Sequence, residues 1–120
     1  ILSGLVGSEM CIRDRYEPTA VLFSKSGRTM TGLDAIRQNN ALLISLKPTF
    51  VIDFIKSTIS GDGTLATNRM KANLSWRDAE GELVQASVDT LEVLRRQADG
   101  SWRYIIDDPY GSMRANLNER

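Results

Sequence analysis

The chain has 120 residues and a mass of 13.4 kDa, a length that suits one domain core and not two. Lys and Arg together number 15, Asp and Glu also number 15, and the formal net charge is zero. This balance argues against nucleic acid or an anionic membrane as the main partner, because both attract a basic surface.

The absence of His and the single Cys narrow the possible chemistry. Without His, the chain lacks the Ser-His-Asp and Cys-His arrangements and the usual general base near neutral pH. Cys11 alone can form neither an intramolecular disulfide nor a cysteine metal cluster. No apolar run reaches the roughly 20 residues of a membrane helix. We therefore expect a cytoplasmic protein without metal or other cofactor, in which any catalysis uses carboxylates, Tyr, Lys, Arg or hydrogen-bond donors.

Residues 1–15 differ in character from the remainder of the chain. They begin apolar and end charged, which reverses the order of a signal peptide. The run from Ser8 to Asp14 resembles the translated read-through of a sequencing adapter. We therefore expect residues 1–15 to be non-native and residues 16–120 to form the domain. The alternative is a short native helix with one apolar face, made by Leu2, Leu5, Val6 and Met10.

The first elements predicted in chain order are a short strand pair and a helix. Pro18 keeps its corner out of a helix, residues 20–23 form an apolar strand, and residues 28–30 return after a turn at 24–27. Thr31 is typical of a helix N-cap. Apolar residues at helical spacing then predict a helix over residues 32–46, which Pro48 terminates.

Four strands are predicted in the second half, over residues 49–60, 65–76, 82–97 and 101–107. Short turns rich in Gly and Asp join them, so they form an antiparallel meander that packs on the helix. The second of these strands alternates in polarity. This pattern predicts one buried face, made by Ala66, Met70, Ala72, Leu74 and Trp76.

Two stretches of the chain resemble a known family. The opening run Tyr16-Glu17-Pro18-x-Ala20-Val21-Leu22 and the closing run from Glu92 through Trp102 to Gly111 are similar to those of SnoaL-like and DUF4440 domains. These domains belong to the nuclear-transport-factor-2-like (NTF2-like) superfamily. The resemblance implies an α+β, cone-shaped fold with a curved mixed or antiparallel sheet packed on helix 32–46. Family members carry further helices before the position of Tyr16, so we expect those helices to be truncated here.

The resemblance implies two kinds of function. The first is a pocket for a small hydrophobic or ring-shaped ligand, with metal-free acid/base catalysis of the isomerase, cyclase or dehydratase class. The second is a non-catalytic dimerisation or association module with a vestigial pocket. Fold does not decide between them. The ketosteroid isomerase mechanism itself is not expected, because Ser24-Lys25 stands where its base would lie and its oxyanion Tyr belongs to a helix before Tyr16.

The candidate pocket residues are Glu92, Thr90, Arg69, Trp76 and Tyr104. Glu92 lies on an otherwise apolar strand face, where burial would raise its pKa, unless it pairs with an Arg or faces solvent. Arg69 would orient an anionic ligand or form a cross-strand ion pair. Trp76 and Tyr104 would line the pocket or simply fill the core.

Three further expectations concern the sheet. Asp107 and Asp108 should point to opposite faces, with Asp108 in a turn role before Pro109. The sheet face away from the helix should be covered by a second copy of the chain, as a homodimer. An open cavity walled by Glu92 and Thr90 would favour the ligand pocket, whereas a cavity filled by Met70, Trp76 and Phe54 would favour the association module.

Overall fold

The structure is a computed structural model that describes residues 12–24 and 26–110. The expectations for Leu2, Leu5, Val6, Met10, Cys11, Lys25 and Gly111 lie outside these residues. The elements follow the order α1 (Ile12–Arg15), β1 (Tyr16–Phe23), β2 (Thr29–Thr31), α2 (Leu33–Ser45), β3 (Thr49–Ile59), β4 (Leu65–Arg77), β5 (Leu83–Arg96) and β6 (Trp102–Asp108). None of the helices in this part of the chain is long and apolar enough to cross a membrane.

The six strands form one mixed sheet with the order β2-β1-β6-β5-β4-β3. Strands β3 to β6 make the expected antiparallel meander, whereas β1 runs parallel to β6. The chain reaches this parallel neighbour through a long crossover, as parallel pairing requires. The α+β prediction is confirmed, and the parallel contact is what makes the sheet mixed.

Helix α2 begins one residue later and ends one residue earlier than predicted. The N-cap assignment of Thr31 is wrong, because Thr31 is the last residue of β2 and Gly32 occupies the cap position. Gly32 has φ 95° and ψ 162°, a backbone conformation that only Gly adopts readily. This conformation turns the chain sharply from strand into helix while the Gly32 amide donates to the Ala20 carbonyl.

Strand β1 begins at Tyr16, four residues earlier than predicted, and contains Pro18 within it. The pairing of β1 with β6 shifts in this region: β1 advances from Tyr16 to Val21 while β6 advances only from Tyr104 to Ile106. Pro18 is tolerated because it lies in this irregular stretch, where its missing N–H costs no regular ladder bond.

The main hydrophobic core lies between α2 and strands β1 and β6. Its fully buried members are Tyr16, Ala20, Leu22, Ile36 and Tyr104. The face of the sheet towards α2, which we call the inner face, continues across β4 through Ala66, Asn68, Met70, Ala72 and Leu74, all of them buried. The opposite, outer face of β4 carries exposed polar side chains, as the alternation predicts.

Candidate active site in a pocket between helix and sheet

A pocket of about 490 Å³ opens between the C-terminal half of α2 and the inner face of β4 to β6. Its wall is largely apolar, and it has room for a small organic molecule. Polar side chains from β5, β6 and α2 interrupt this wall. The apolar lining includes Leu22, Phe23, Leu42, Leu43, Leu46, Phe50, Met70, Leu74 and Val88, and the polar lining includes Asn39, Asn40, Thr90, Glu92, Tyr104 and Asp107.

Two buried carboxyl groups stand next to each other on this wall. Glu92 on β5 and Asp107 on β6 are directly opposed in the antiparallel register, a relation that brings Cβ atoms to within about 5 Å. Each residue is 4% exposed. Burial, with a further contribution from Glu92, raises the pKa of Asp107 to about 7. Burial also raises the pKa of Glu92 above its ordinary value. The pair can therefore hold a proton near neutral pH.

Tyr16 binds Asp107 from the side of the core. Its hydroxyl donates to Asp107 Oδ2 over 2.6 Å, and both groups are buried. Burial and the neighbouring Asp107 raise the pKa of Tyr16, which keeps this hydroxyl protonated and able to donate. Since Tyr16 occupies Oδ2, a proton carried by Asp107 would reside on Oδ1. Tyr16 itself is not part of the pocket wall and acts on Asp107 as a positioning residue.

Glu92 is held by a second hydrogen-bond chain that crosses the sheet. Ser57 Oγ donates to Asn68 Oδ1 over 2.8 Å, and Asn68 Nδ2 donates to Glu92 Oε1 over 2.9 Å. The three residues are direct cross-strand partners on β3, β4 and β5. Because the Ser57 hydroxyl occupies the Asn68 carbonyl oxygen, the Asn68 amide nitrogen faces the carboxylate. The Glu92 side chain is thereby fixed in orientation.

Two further polar groups at the pocket are buried without a geometric hydrogen bond to any residue in the described ranges. They are Thr90 Oγ1 and Asn40 Nδ2. Each lies near enough to a neighbour to influence it, since Thr90 partly offsets the rise in the pKa of Glu92 and Asn40 does so for Tyr16. Buried polar groups normally find a partner, and the nearest partners of these two groups are Glu92 and Tyr16.

The structure places three of the five candidate residues on the pocket wall. Glu92, Thr90 and Tyr104 lie there, whereas Arg69 and Trp76 are absent from the lining. Arg69 points to the outer face, where it pairs with Asp89 at 3.3 Å, because odd-numbered residues of β4 face away from the helix. Trp76 is on the inner face but near the far end of β4, opposite Val84 and beyond the pocket.

Sequence reasoning missed Asp107, Tyr16 and Asn68 as parts of the site. Strict alternation along β6 would put Tyr104 and Asp107 on opposite faces. A bulge adds Ile105 between the residues that pair with Leu94 and Val93, so both side chains reach the inner face. The polar residue Asn68 on the otherwise apolar face of β4 was a sequence signal that could have indicated a buried polar site.

Asp108 has the expected turn role, since its carboxylate accepts from the Tyr110 amide.

The arrangement is suited to proton transfer. Two neighbouring carboxyl groups with raised pKa values can be half-ionised at neutral pH, with one acting as acid and the other as base. Within residues 12–24 and 26–110, no three His, Cys, Asp or Glu side chains come together as metal ligands. The pair itself supplies fewer oxygen ligands than Ca²⁺ requires.

No protein-family model matches the sequence, and no curated protein does so either. Solved structures do match it in fold. An NTF2-like superfamily protein from Salmonella enterica serovar Typhimurium has a TM-score of 0.74 at 13% identity, over 89% of this chain and 80% of that one. A ketosteroid isomerase-like protein from Erwinia carotovora atroseptica has a TM-score of 0.70 at 16% identity, over 89% and 83%.

A third similar structure is the association domain of Caenorhabditis elegans CaMKII, with a TM-score of 0.69 at 12% identity over 89% of this chain and 84% of that one. These similar proteins therefore include both an isomerase-like protein and an association domain. Identities this low bear on the fold and leave the activity open. The chain has the NTF2-like fold, built from one six-stranded mixed sheet and a packed helix.

Proposed function

We propose that the protein binds a small, largely apolar molecule in this pocket and transfers a proton to or from it through Glu92 and Asp107. The observation that carries the proposal is the buried carboxyl pair on the wall of an open apolar cavity. Such a protein would be a metal-free acid/base enzyme of the SnoaL-like or DUF4440 type, within the isomerase, cyclase or dehydratase class.

The separate supports of the two carboxyl groups favour this function. Tyr16 holds one oxygen of Asp107, and Asn68 holds one oxygen of Glu92. These two bonds fix the orientation of each carboxyl group at the pocket wall. Burial of ionisable groups is costly for stability, and perturbed carboxyl groups in a cleft are typical of functional sites.

The test is a screen of small apolar carbonyl compounds for binding, followed by hydrogen–deuterium exchange of the bound compound's acidic C–H in D₂O, measured by NMR. The wild-type protein should accelerate exchange, and both Glu92→Gln and Asp107→Asn should lower the rate at least tenfold. Asp89→Asn, on the outer face of the same strand as Glu92, is the matched control and should exchange as the wild type does. Equal rates in all four proteins would refute proton transfer by this pair.

A second candidate function, association with another copy of the chain, is favoured by the outer face. Several large apolar side chains are exposed there according to the strand register: Val51, Phe54, Leu65, Leu83 and Ile106. Exposed apolar area of this kind is typical of protein interfaces. The similarity to an association domain supports the same reading. We propose a homodimer through the outer face, which would leave the pocket open.

Sedimentation equilibrium can test this association. Phe54→Glu places a charge among the exposed apolar residues, on the outer face of edge strand β3, and should convert a dimer into a monomer. Gln38→Glu, at an exposed position of α2, adds the same charge on the other side of the molecule and should leave the mass unchanged. A monomeric wild-type protein, or a dimer that survives Phe54→Glu, would exclude this interface.

A further inference from the structure

The charges on the pocket wall are unbalanced in a way that bears on the ligand. Glu92 and Asp107 are buried side by side, and the described residues that line the pocket include no Lys or Arg. The side chains that donate to them are neutral: the Tyr16 hydroxyl donates to Asp107, and the Asn68 amide donates to Glu92. Neighbouring carboxyl groups resist double ionisation, so one of them keeps its proton while the other is ionised. The pair then carries about one negative charge.

A buried negative charge normally requires a positive partner. The ion pairs made by Arg37, Arg69 and Arg95 lie elsewhere. Arg69 pairs with Asp89 on the outer face, and Arg95 pairs with Glu17. The first pair is directed away from the inner face, and the second lies three residues along β5 from Glu92. The described lining of the pocket thus contains two acids and no basic side chain, which favours a ligand that carries a positive charge.

The rest of the wall indicates what such a ligand would look like. Leu43, Phe50, Met70 and Leu74 offer a surface for a hydrocarbon body. The Tyr104 ring lies on the wall, where burial and then the charges of Glu92 and Asp107 raise its pKa while Arg15 lowers it. An aromatic ring beside carboxylates is a favourable setting for an organic cation. A ligand with its own carboxylate or phosphate would be repelled.

We propose that the ligand of this pocket is an apolar amine, whose ammonium group binds between Glu92 and Asp107 while its hydrocarbon body contacts the apolar wall. This inference rests on the proposed function, since it names the ligand class of the same pocket. One carboxylate would hold the ammonium group, and the other acid would keep the proton available for transfer.

The experiment uses four probes that share one hydrocarbon body: 4-phenylbutylamine, 4-phenyl-1-butanol, 4-phenylbutan-2-one and 4-phenylbutyrate. Their dissociation constants are measured by NMR titration of the full chain near neutral pH. The amine should bind at least tenfold more tightly than the alcohol or the ketone, and the butyrate should bind most weakly. Asp89→Asn should keep this order, because its carboxylate lies on the outer face.

The double variant Glu92→Gln, Asp107→Asn tests the cause of the preference. Both replacements keep an oxygen that can accept from Asn68 or Tyr16, so the wall keeps its shape and loses its charge. The ratio of amine affinity to alcohol affinity should fall to about one, and unchanged alcohol binding would show that the pocket has remained intact.

Several outcomes would overturn the inference and leave the proposed function standing. They are tighter binding of the ketone or the alcohol than of the amine, a preference that survives the double variant, or tighter binding of Mg²⁺ or Ca²⁺ at the pair. Failure of all four probes to bind, together with inactivity in the exchange assay, would reject the ligand pocket itself and the amine inference with it.

Discussion

Glu92 and Asp107 face each other across neighbouring antiparallel strands, both buried, with one oxygen of each held by a neutral hydrogen-bond donor. This relationship is common to the two proposals, because it supplies a proton-holding pair and a negative charge on the pocket wall.

The first prediction concerns the pH dependence of stability. Asp107 has a pKa of about 7 in the folded protein, raised by burial above its ordinary value of 3.8. The folded state therefore binds more protons than the unfolded state between these values, and the free energy of unfolding should fall as pH rises from about 4 to 7. Asp107→Asn removes this titration but keeps an acceptor for Tyr16. The variant should gain stability relative to the wild type with rising pH, by at most about 1.4 kcal/mol per pH unit.

Urea denaturation of both proteins at pH 4.5 and pH 8 measures the difference. The free energy of unfolding of Asp107→Asn minus that of the wild type should be more positive at pH 8 than at pH 4.5. If the two stability curves run parallel across this range, Asp107 does not carry the raised pKa.

The second prediction concerns the hydroxyl of Tyr16. The Tyr16 hydroxyl lowers the pKa of Asp107 by donating to its carboxyl group. Tyr16→Phe removes this donor, so the pKa of Asp107 should rise further. Loss of one bond to a buried carboxylate should also cost roughly 1–3 kcal/mol of stability at pH 8. A carboxyl carbon NMR titration of Asp107 follows the pKa directly.

Tyr104→Phe is the matched control for this change. Tyr104 is also buried, and its ring packs against that of Tyr16 at a tilt of 53° with centroids 5.0 Å apart, but its hydroxyl is not the one that binds Asp107. It should move the pKa of Asp107 less than Tyr16→Phe does. A larger effect from Tyr104→Phe would contradict the assigned role of Tyr16.

The third prediction concerns the chain of hydrogen bonds that supports Glu92. Asn68→Leu removes the donor that favours the ionised form of Glu92, so the pKa of Glu92 should rise above its already raised value. At pH 8 the buried carboxylate loses its partner, with a cost on the order of 1–3 kcal/mol that should shrink at acid pH, where Glu92 is neutral.

Ser57→Ala provides a graded comparison. Ser57 lies on the exposed strand β3 and touches Glu92 only through Asn68, so its removal should raise the pKa of Glu92 by less. Carboxyl carbon NMR measures both variants. Equal shifts in the two, or no shift in Asn68→Leu, would show that Asn68 does not position Glu92.

The fourth prediction concerns the turn into α2. Gly32→Ala forces a side chain into a backbone conformation with φ 95° and ψ 162°, which should cost about 1–3 kcal/mol. Gly61→Ala is the matched control, since a Cβ at Gly61 meets no atom within 4 Å. Thermal unfolding should show a clear loss for the first variant and little change for the second. Similar midpoints would mean that the turn at Gly32 can relax without cost.

The local pattern of residues determined most of the secondary structure of this protein and the face on which Glu92 lies. Helix α2 and strands β3 to β6 were predictable to within one or two residues, because their apolar periodicity and their turns are encoded in short segments. The inner position of Glu92 followed from alternation along β5, since β4 and β5 pair without any shift of register. The lack of His was also informative, because it leaves carboxylates, Tyr, Lys, Arg or hydrogen-bond donors for any catalysis.

The tertiary structure alone decided how these residues meet. Tyr16 reaches Asp107 across 91 residues because β1 lies parallel to β6, a pairing that no hairpin signal marks. The bulge at Ile105 reverses the alternation of β6 and turns Asp107 into the pocket. Arg69, in contrast, followed regular alternation to the outer face. A strand pattern read residue by residue therefore located one acid of the pair, and pairing geometry added the other.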